Sequence, residues 1–181
     1  ADVERYPLHR LWQDLKSHDL EADNLGLLSD MICCPGGDFC ALANAKSIPI
    51  AESIQRRFSH EELRDIGTVS LNISGCMNAC GHHHVGNIGI LGVDKKGEEY
   101  YQVSLGGSAD NNTSLGKIVG PAFSQEEIPV VIEKIVAVYK NHREADEAFL
   151  HTYQRIGMEP FKDALYAPKS ADNKEAAGVR S

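Results

Sequence analysis

Two cysteine pairs constrain this chain more than any other feature: Cys34 and Cys40, with five residues between them in CCPGGDFC, and Cys76 and Cys80, with three between them in SGCMNACGHHH. Gly36, Gly37, Gly75 and Gly81 beside them let the backbone turn sharply and come close to a bulky object. Two such loops can wrap one centre. Cys33 brings the cysteine count to five, an odd number in a chain whose start, ADVERYPLHR, has neither a basic cap nor an apolar signal core. That argues against a disulfide framework and for thiols used in metal or redox chemistry.

Composition excludes some alternatives. The 181 residues match one domain, and the 42% hydrophobic and 24% charged shares are those of an ordinary soluble protein. The net charge is −8, and Lys and Arg are scattered among carboxylates, so there is no basic stripe for nucleic acid. No run approaches the roughly 18 apolar residues that would span a bilayer. The expected setting is the cytoplasm, with no membrane and no nucleic acid partner.

Periodicity places both pairs within an α/β (α+β) domain. Leu8, Leu11, Trp12 and Leu15 predict an amphipathic helix from Pro7 to about His18. ALANAKSIPIAESIQRRF predicts two helical pieces broken at Pro49, the first opening at the cysteine loop. Ser59-x-x-Glu62 has the form of a capping box and starts a helix through about Ile66. TVSLNIS alternates Val69, Leu71 and Ile73 with polar residues, the period of a strand with one buried face, and it points at Cys76. VGNIGILGV, the turn DKKG and EYYQVSLGG predict a hairpin, GGSADNN a loop and GKIVGPAF a further strand. Ser124-x-x-Glu127 has the form of a second capping box, followed by an apolar stripe from Ile128 to Tyr139 that predicts a helix through about His142. Phe149, Tyr153 and Ile156 predict a helix ending near Gly157, EPFKDALY a short one after it, and the terminal PKSADNKEAAGVRS a frayed tail. The sheet is expected to be mixed, with flanking helices.

Four thiolates could hold zinc, but structural zinc sites draw each pair from knuckles of about two to four intervening residues, and a spacing of five lies outside that range. An iron-sulfur cube is larger and is also held by four cysteines. Spacing favours iron-sulfur and leaves a zinc-stapled four-cysteine binding module without redox activity as the alternative. A ferredoxin is disfavoured, because there is no compact run of ferredoxin form.

CPGGDFCALANAKSIPIA and LNISGCMNACGHHHVGNIGILG together resemble the signature of the sirohaem and [4Fe-4S] nitrite and sulfite reductases. The resemblance runs from about Leu8 to Tyr166 and is nearest to the C-terminal part of the bacterial assimilatory sulfite reductase haemoprotein, or beta subunit. It implies the mixed-sheet fold of the nitrite/sulfite reductase 4Fe-4S domain over residues 1–166, a flexible tail over 167–181, and membership in a longer chain. It also implies that Cys34, Cys40, Cys76 and Cys80 hold a [4Fe-4S] cluster, that Cys80 bridges it to the sirohaem iron, and that Asn78 and Gly81 lie near both cofactors. Many relatives carry Pro-Asn after the third cysteine, where this chain has Met77-Asn78. The implied activity is multi-electron reduction of sulfite, or nitrite, to sulfide or its nitrogen counterpart, within sulfate assimilation for sulfite. The implied partners are the N-terminal remainder of the reductase and an electron donor, either an NADPH-dependent flavoprotein or a ferredoxin.

Other groups carry plainer readings. Cys33 is expected to be a small buried residue. His82, His83 and His84, on an extended segment, would point to opposite faces and cannot all converge on one ion, so one or two of them are expected to pack and hydrogen-bond under the cysteine loop. Gly86, Gly89 and Gly92 are read as close packing in a strand pair and not as a phosphate loop, and Glu98 and Glu99 as solvated strand residues. No carboxylate pair stands apart for acid-base work, so no catalytic residue is assigned. Lys46 is the only basic residue close in sequence to either cysteine pair, although an anionic substrate needs a cationic lining.

Overall fold

The computed structural model describes residues 7–167, so the expected tail lies outside the described residues apart from Ala167. Within these residues five strands form one sheet in the order β1 (Ile32–Cys33), β2 (Leu71–Ser74), β3 (Ile88–Lys95), β4 (Glu98–Leu105) and β5 (Lys117–Ile118). β1, β2 and β3 run parallel, and β4 and β5 pair antiparallel, which gives the expected mixed sheet. The β3–β4 hairpin turns on Lys96 and Gly97, at φ of +59° and +85°, the left-handed pair that a tight two-residue connection demands. No helix among the described residues is long and apolar enough to cross a membrane.

Among the described residues six helices accompany the sheet: α1 (Leu8–Lys16), α2 (Ile48–Gln55), α3 (His60–Ile66), α4 (Ile128–His142), α5 (Phe149–Ile156) and α6 (Glu159–Tyr166). α4 is the central one and packs against α2, α5 and α6. Its stripe of Ile128, Val131, Ile132, Ile135 and Tyr139 joins Leu71, Ile73, Ile88, Ile90, Val103 and Leu105 in a single hydrophobic core. α3 carries the expected capping box, with Ser59 and Glu62 bonded reciprocally.

Several expectations change. Residues 41–47 are not helical, and Pro49 sits in the first turn of α2, where its missing N–H costs nothing, so it starts a helix and does not break one. The N-cap of α4 is Glu127, not Ser124, and only half of the second capping box forms, from the Ser124 N–H to the Glu127 carboxylate. β1, only two residues long, is too short to carry a periodic signal in the sequence. β2 is buried on both faces, because the chain leaving it folds back across the second face. α1 forms as expected but buries none of its residues.

Candidate metal centre

Both cysteine loops leave the sheet at the same place. Cys34 follows β1 and Gly75 follows β2, so the loops start at the carboxyl ends of adjacent parallel strands, the edge where open α/β sheets bind ligands. The segment Ile73–Gly75 ties them together. The Cys34 N–H donates to the Ile73 carbonyl (3.1 Å), the Gly75 N–H donates to Cys34 Sγ (3.1 Å), and the Asn44 and Ala45 N–H groups both donate to the Gly75 carbonyl (2.8 and 3.0 Å). Cys40 is held to its own turn through its N–H to the Gly36 carbonyl (2.9 Å), and Gly37 N–H reaches the Ala45 carbonyl (3.0 Å). The second loop closes on the same strand end, where the Gly81 N–H meets Ser74 Oγ at 3.1 Å.

Glycine is required at this joint. A Cβ on Gly75 would stand 2.6 Å from the Ala45 carbonyl oxygen and 3.0 Å from Gly36 Cα, and one on Gly81 would stand 1.9 Å from the Ile73 carbonyl oxygen. Backbone packs directly on backbone there. The second loop also holds two non-glycine residues in the left-handed region, Ala79 at φ +56° and His82 at φ +52°, on either side of Cys80.

All five cysteines are free. Cys76 is buried, Cys34 and Cys40 are half-buried, and Cys80 is exposed. Asn78 is exposed on the same loop, while Gly81 is buried beneath it. Phe39, Leu42 and Met77 stand in the open around them, the last 87% exposed. Among the described residues no three His, Cys, Asp or Glu side chains gather tightly enough to hold a single metal ion. A zinc ion with thiolates at about 2.3 Å needs such a gathering, so the zinc alternative finds no support. A donor set of thiols alone, divided over two loops and backed by a backbone cradle, fits a larger polynuclear centre.

Cys33 is half-buried, not fully buried, and its thiol donates to the Cys34 carbonyl (3.3 Å). Burial, and then the neighbouring Cys34, push that thiol up to about 11, so it stays protonated at neutral pH. The three histidines lie not on an extended segment but on a 3-10 turn, His83–Val85, entered from His82. His83 Nδ1 has no hydrogen-bond partner among the described residues, and burial, followed by the charge of His84, lowers the pKa of the ring. The close packing at Gly89 and Gly92 is with loops lying on the sheet: their Cβ positions fall 2.0 Å from the His83 carbonyl oxygen and 2.7 Å from Ala45 Cβ. Lys46 forms a half-exposed ion pair with Asp38 at 3.5 Å. Glu99, though exposed, accepts from the Lys46 N–H (3.0 Å) and the Tyr101 hydroxyl (3.1 Å), anchoring the far end of the first loop to β4. Burial, aided by Glu99, raises the Tyr101 hydroxyl pKa.

Residues 27–172 match the family described as the nitrite and sulphite reductase 4Fe-4S domain. The chain belongs to this family. Among its relatives, the spinach (Spinacia oleracea) chloroplastic ferredoxin–nitrite reductase is 29% identical over 134 residues, covering 66% of this chain and 22% of the spinach enzyme. The assimilatory-type sulfite reductase of Nitratidesulfovibrio vulgaris is 23% identical over 132 residues, covering 73% of this chain and 58% of the relative. This chain therefore spans less than two thirds of either relative. The fold is shared with the Mycobacterium tuberculosis NirA protein, at a TM-score of 0.73 and 23% identity over 91% of this chain and 31% of that one. Dissimilatory sulfite reductase I gives a TM-score of 0.70 at 13% identity over 96% of this chain and 60% of its own. The [4Fe-4S] expectation agrees with the family description. Spacing singles out the cysteines and glycines but not Ser47, which reads in the sequence only as a serine ahead of Ile48-Pro49.

Proposed function

We propose that this chain is the cluster- and sirohaem-binding part of a sulfite or nitrite reductase, with Cys34, Cys40, Cys76 and Cys80 holding the [4Fe-4S] cluster and Cys80 shared with the sirohaem iron. One observation carries the reading: the two cysteine loops leave adjacent parallel strand ends and are fastened to each other through Ile73–Gly75. The exposure of Cys80, alone among the four, supports its role as the thiolate presented to a second cofactor. Residues 1–166 form the binding domain in this reading, and Asn78 and Gly81 line the side of the loop that faces the cofactors.

When bound, the coupled cofactors supply electrons and a place for the anion to bind. The chain's own residues divide the remaining work. The Gly75 N–H and the buried Cys76 keep one side of the donor set away from water, and Gly81 fixes the turn that turns Cys80 outward. Substrate charge has to be offset mostly elsewhere, because a single surface lysine, itself beside Asp38, is a small cationic lining for an anion. The cationic shell and the rest of the sirohaem pocket belong to the remainder of a longer reductase, consistent with the partial cover of the relatives. The setting is cytoplasmic, where thiols stay reduced, and the electron donor is a flavoprotein or a ferredoxin. Sulfite reduction in sulfate assimilation is favoured over nitrite by the wording around the cysteines.

Iron and acid-labile sulfide, measured on anaerobically purified protein, test the centre: about four of each per chain is expected, and stoichiometric zinc without labile sulfide overturns the reading. Turnover tests the division of labour. The isolated chain is expected to make no sulfide from sulfite with reduced methyl viologen, and sulfide production by it would show that the cationic shell is not needed from elsewhere.

A further inference from the structure

Ser47 is fully buried at the start of α2, yet it does not cap that helix. A capping serine takes extended backbone angles and accepts from the second or third helical N–H. Ser47 has φ −111° and ψ −42°, and the second helical residue is Pro49, which has no N–H to give. Its hydroxyl instead lies 3.4 Å from Cys34 Sγ. The neighbouring backbone is shaped to hold it there. A Cβ on Gly36 would come within 2.7 Å of Ser47 Oγ, and one on Gly75 within 2.9 Å, so the hydroxyl occupies the seam between the two cysteine loops that both glycines leave open. The same sulfur also accepts the Gly75 N–H, at 3.1 Å.

We propose that Ser47 is a positioning residue for the cluster: its buried hydroxyl and the Gly75 N–H both donate to the sulfur of Cys34, and so hold that thiolate in place and raise the cluster's reduction potential. The inference rests on the cluster reading above and adds a residue and a property to it. A ligating thiolate has no proton to give, so the hydroxyl is the donor. Hydrogen bonds to the sulfurs are among the determinants of cluster potential, because each offsets negative charge that grows when the one-electron couple is reduced. Ser47 is fully buried and Cys34 half-buried, so water dilutes the effect less than it would at the surface.

The test is an anaerobic potentiometric titration, followed by electron paramagnetic resonance, on the full-length protein and three variants, each assayed for iron and acid-labile sulfide. Ser47→Ala is expected to keep the cluster and to shift the midpoint more negative. A loss of about tenfold in the reduction equilibrium, about 59 mV for one electron, matches the removal of one charge-assisted bond. Ser47→Thr, which keeps the hydroxyl, is expected at the parent midpoint, and Ser47→Cys, a weak donor, between the two. A Ser47→Ala protein with full iron and sulfide that titrates at the parent midpoint overturns the proposal and leaves the cluster assignment standing. Should Ser47→Ala fail to assemble the centre, Ser47→Cys decides: a negative shift supports the bond, and a parent-like midpoint overturns it. Absence of labile sulfide from the parent itself overturns the cluster reading, and the Ser47 proposal falls with it.

Discussion

Cys33 and Cys34 are adjacent in sequence and have different surroundings. Cys34 Sγ accepts from the Gly75 N–H and faces the Ser47 hydroxyl, at the point where the two loops meet. Cys33 belongs to β1, is aligned with Ile73, and has its thiol turned to the Cys34 carbonyl and held in its protonated form. Chain alternation separates them: successive side chains of an extended segment point to opposite sides, so one of two adjacent cysteines faces the loop and the other the sheet. Ser substitutions should therefore part company. Cys34→Ser is expected to lose most of the iron and labile sulfide, while Cys33→Ser keeps parent levels of both. Equal loss from the two variants would place the centre elsewhere.

Elements were legible where local chemistry alone decides them. The capping box at Ser59 and Glu62 is complete, so α3 began and ended where the sequence put it. Ser59→Ala should cost about 1 kcal/mol, which for a domain of this size is a fall of roughly 2–4 °C in melting temperature; no change would mean that α3 is held by packing alone. The α4–α5 corner depends on Glu147. Its carboxylate accepts from Arg155, Thr152 and the Glu144 N–H, and Arg155 also reaches the His142 carbonyl. Those donors, Arg155 foremost, pull the Glu147 carboxyl down to about 2. A folded-state value below the ordinary 4.5 means the stabilisation is present above pH 4.5 and is lost as pH falls towards 2. Glu147→Gln should thus lower the melting temperature at neutral pH and flatten its decline between pH 4.5 and pH 2; an unchanged acid limb would rule the corner out as a source of acid sensitivity. What stayed hidden in the sequence depends on contacts between distant segments. Ala41–Lys46 has helical composition, yet the Asn44 and Ala45 N–H groups go to the Gly75 carbonyl, a partner that appears only once the sheet has formed. The alternating pattern of β2 implied a solvated face, but Asn72 donates to the His82 carbonyl (3.0 Å) beneath the returning loop. The cysteine set and the glycines were readable from spacing, whereas Ser47 was not, because its significance lies in a sulfur 13 residues away.

At the scale of the whole molecule, core and site are built from different parts of the chain. The core runs through Leu71, Ile73, Ile88, Ile90, Val103, Ile132, Ile135, Tyr139, Phe149 and Phe161, and of the four candidate ligands only Cys76 is buried. Backbone hydrogen bonds fasten the loops to Ile73–Gly75, at the end of a sheet whose core lies elsewhere. Small metal-stapled modules behave otherwise, because their binding free energy is their folding free energy. A cluster here would add to a fold that already has its own core, and its removal should act locally. Stripping iron anaerobically with a chelator is expected to leave the far-ultraviolet dichroism and a cooperative melt in place. Hydrogen exchange should rise only across residues 34–47 and 75–87, the two loops that carry the thiols and the amides bonded between them. Thiol alkylation should rise at Cys34, Cys40, Cys76 and Cys80 and stay slow at Cys33, whose raised pKa keeps it protonated. A chain that loses its dichroism together with its iron would instead be a metal-dependent fold, and the separation of core from site argued from burial would be wrong.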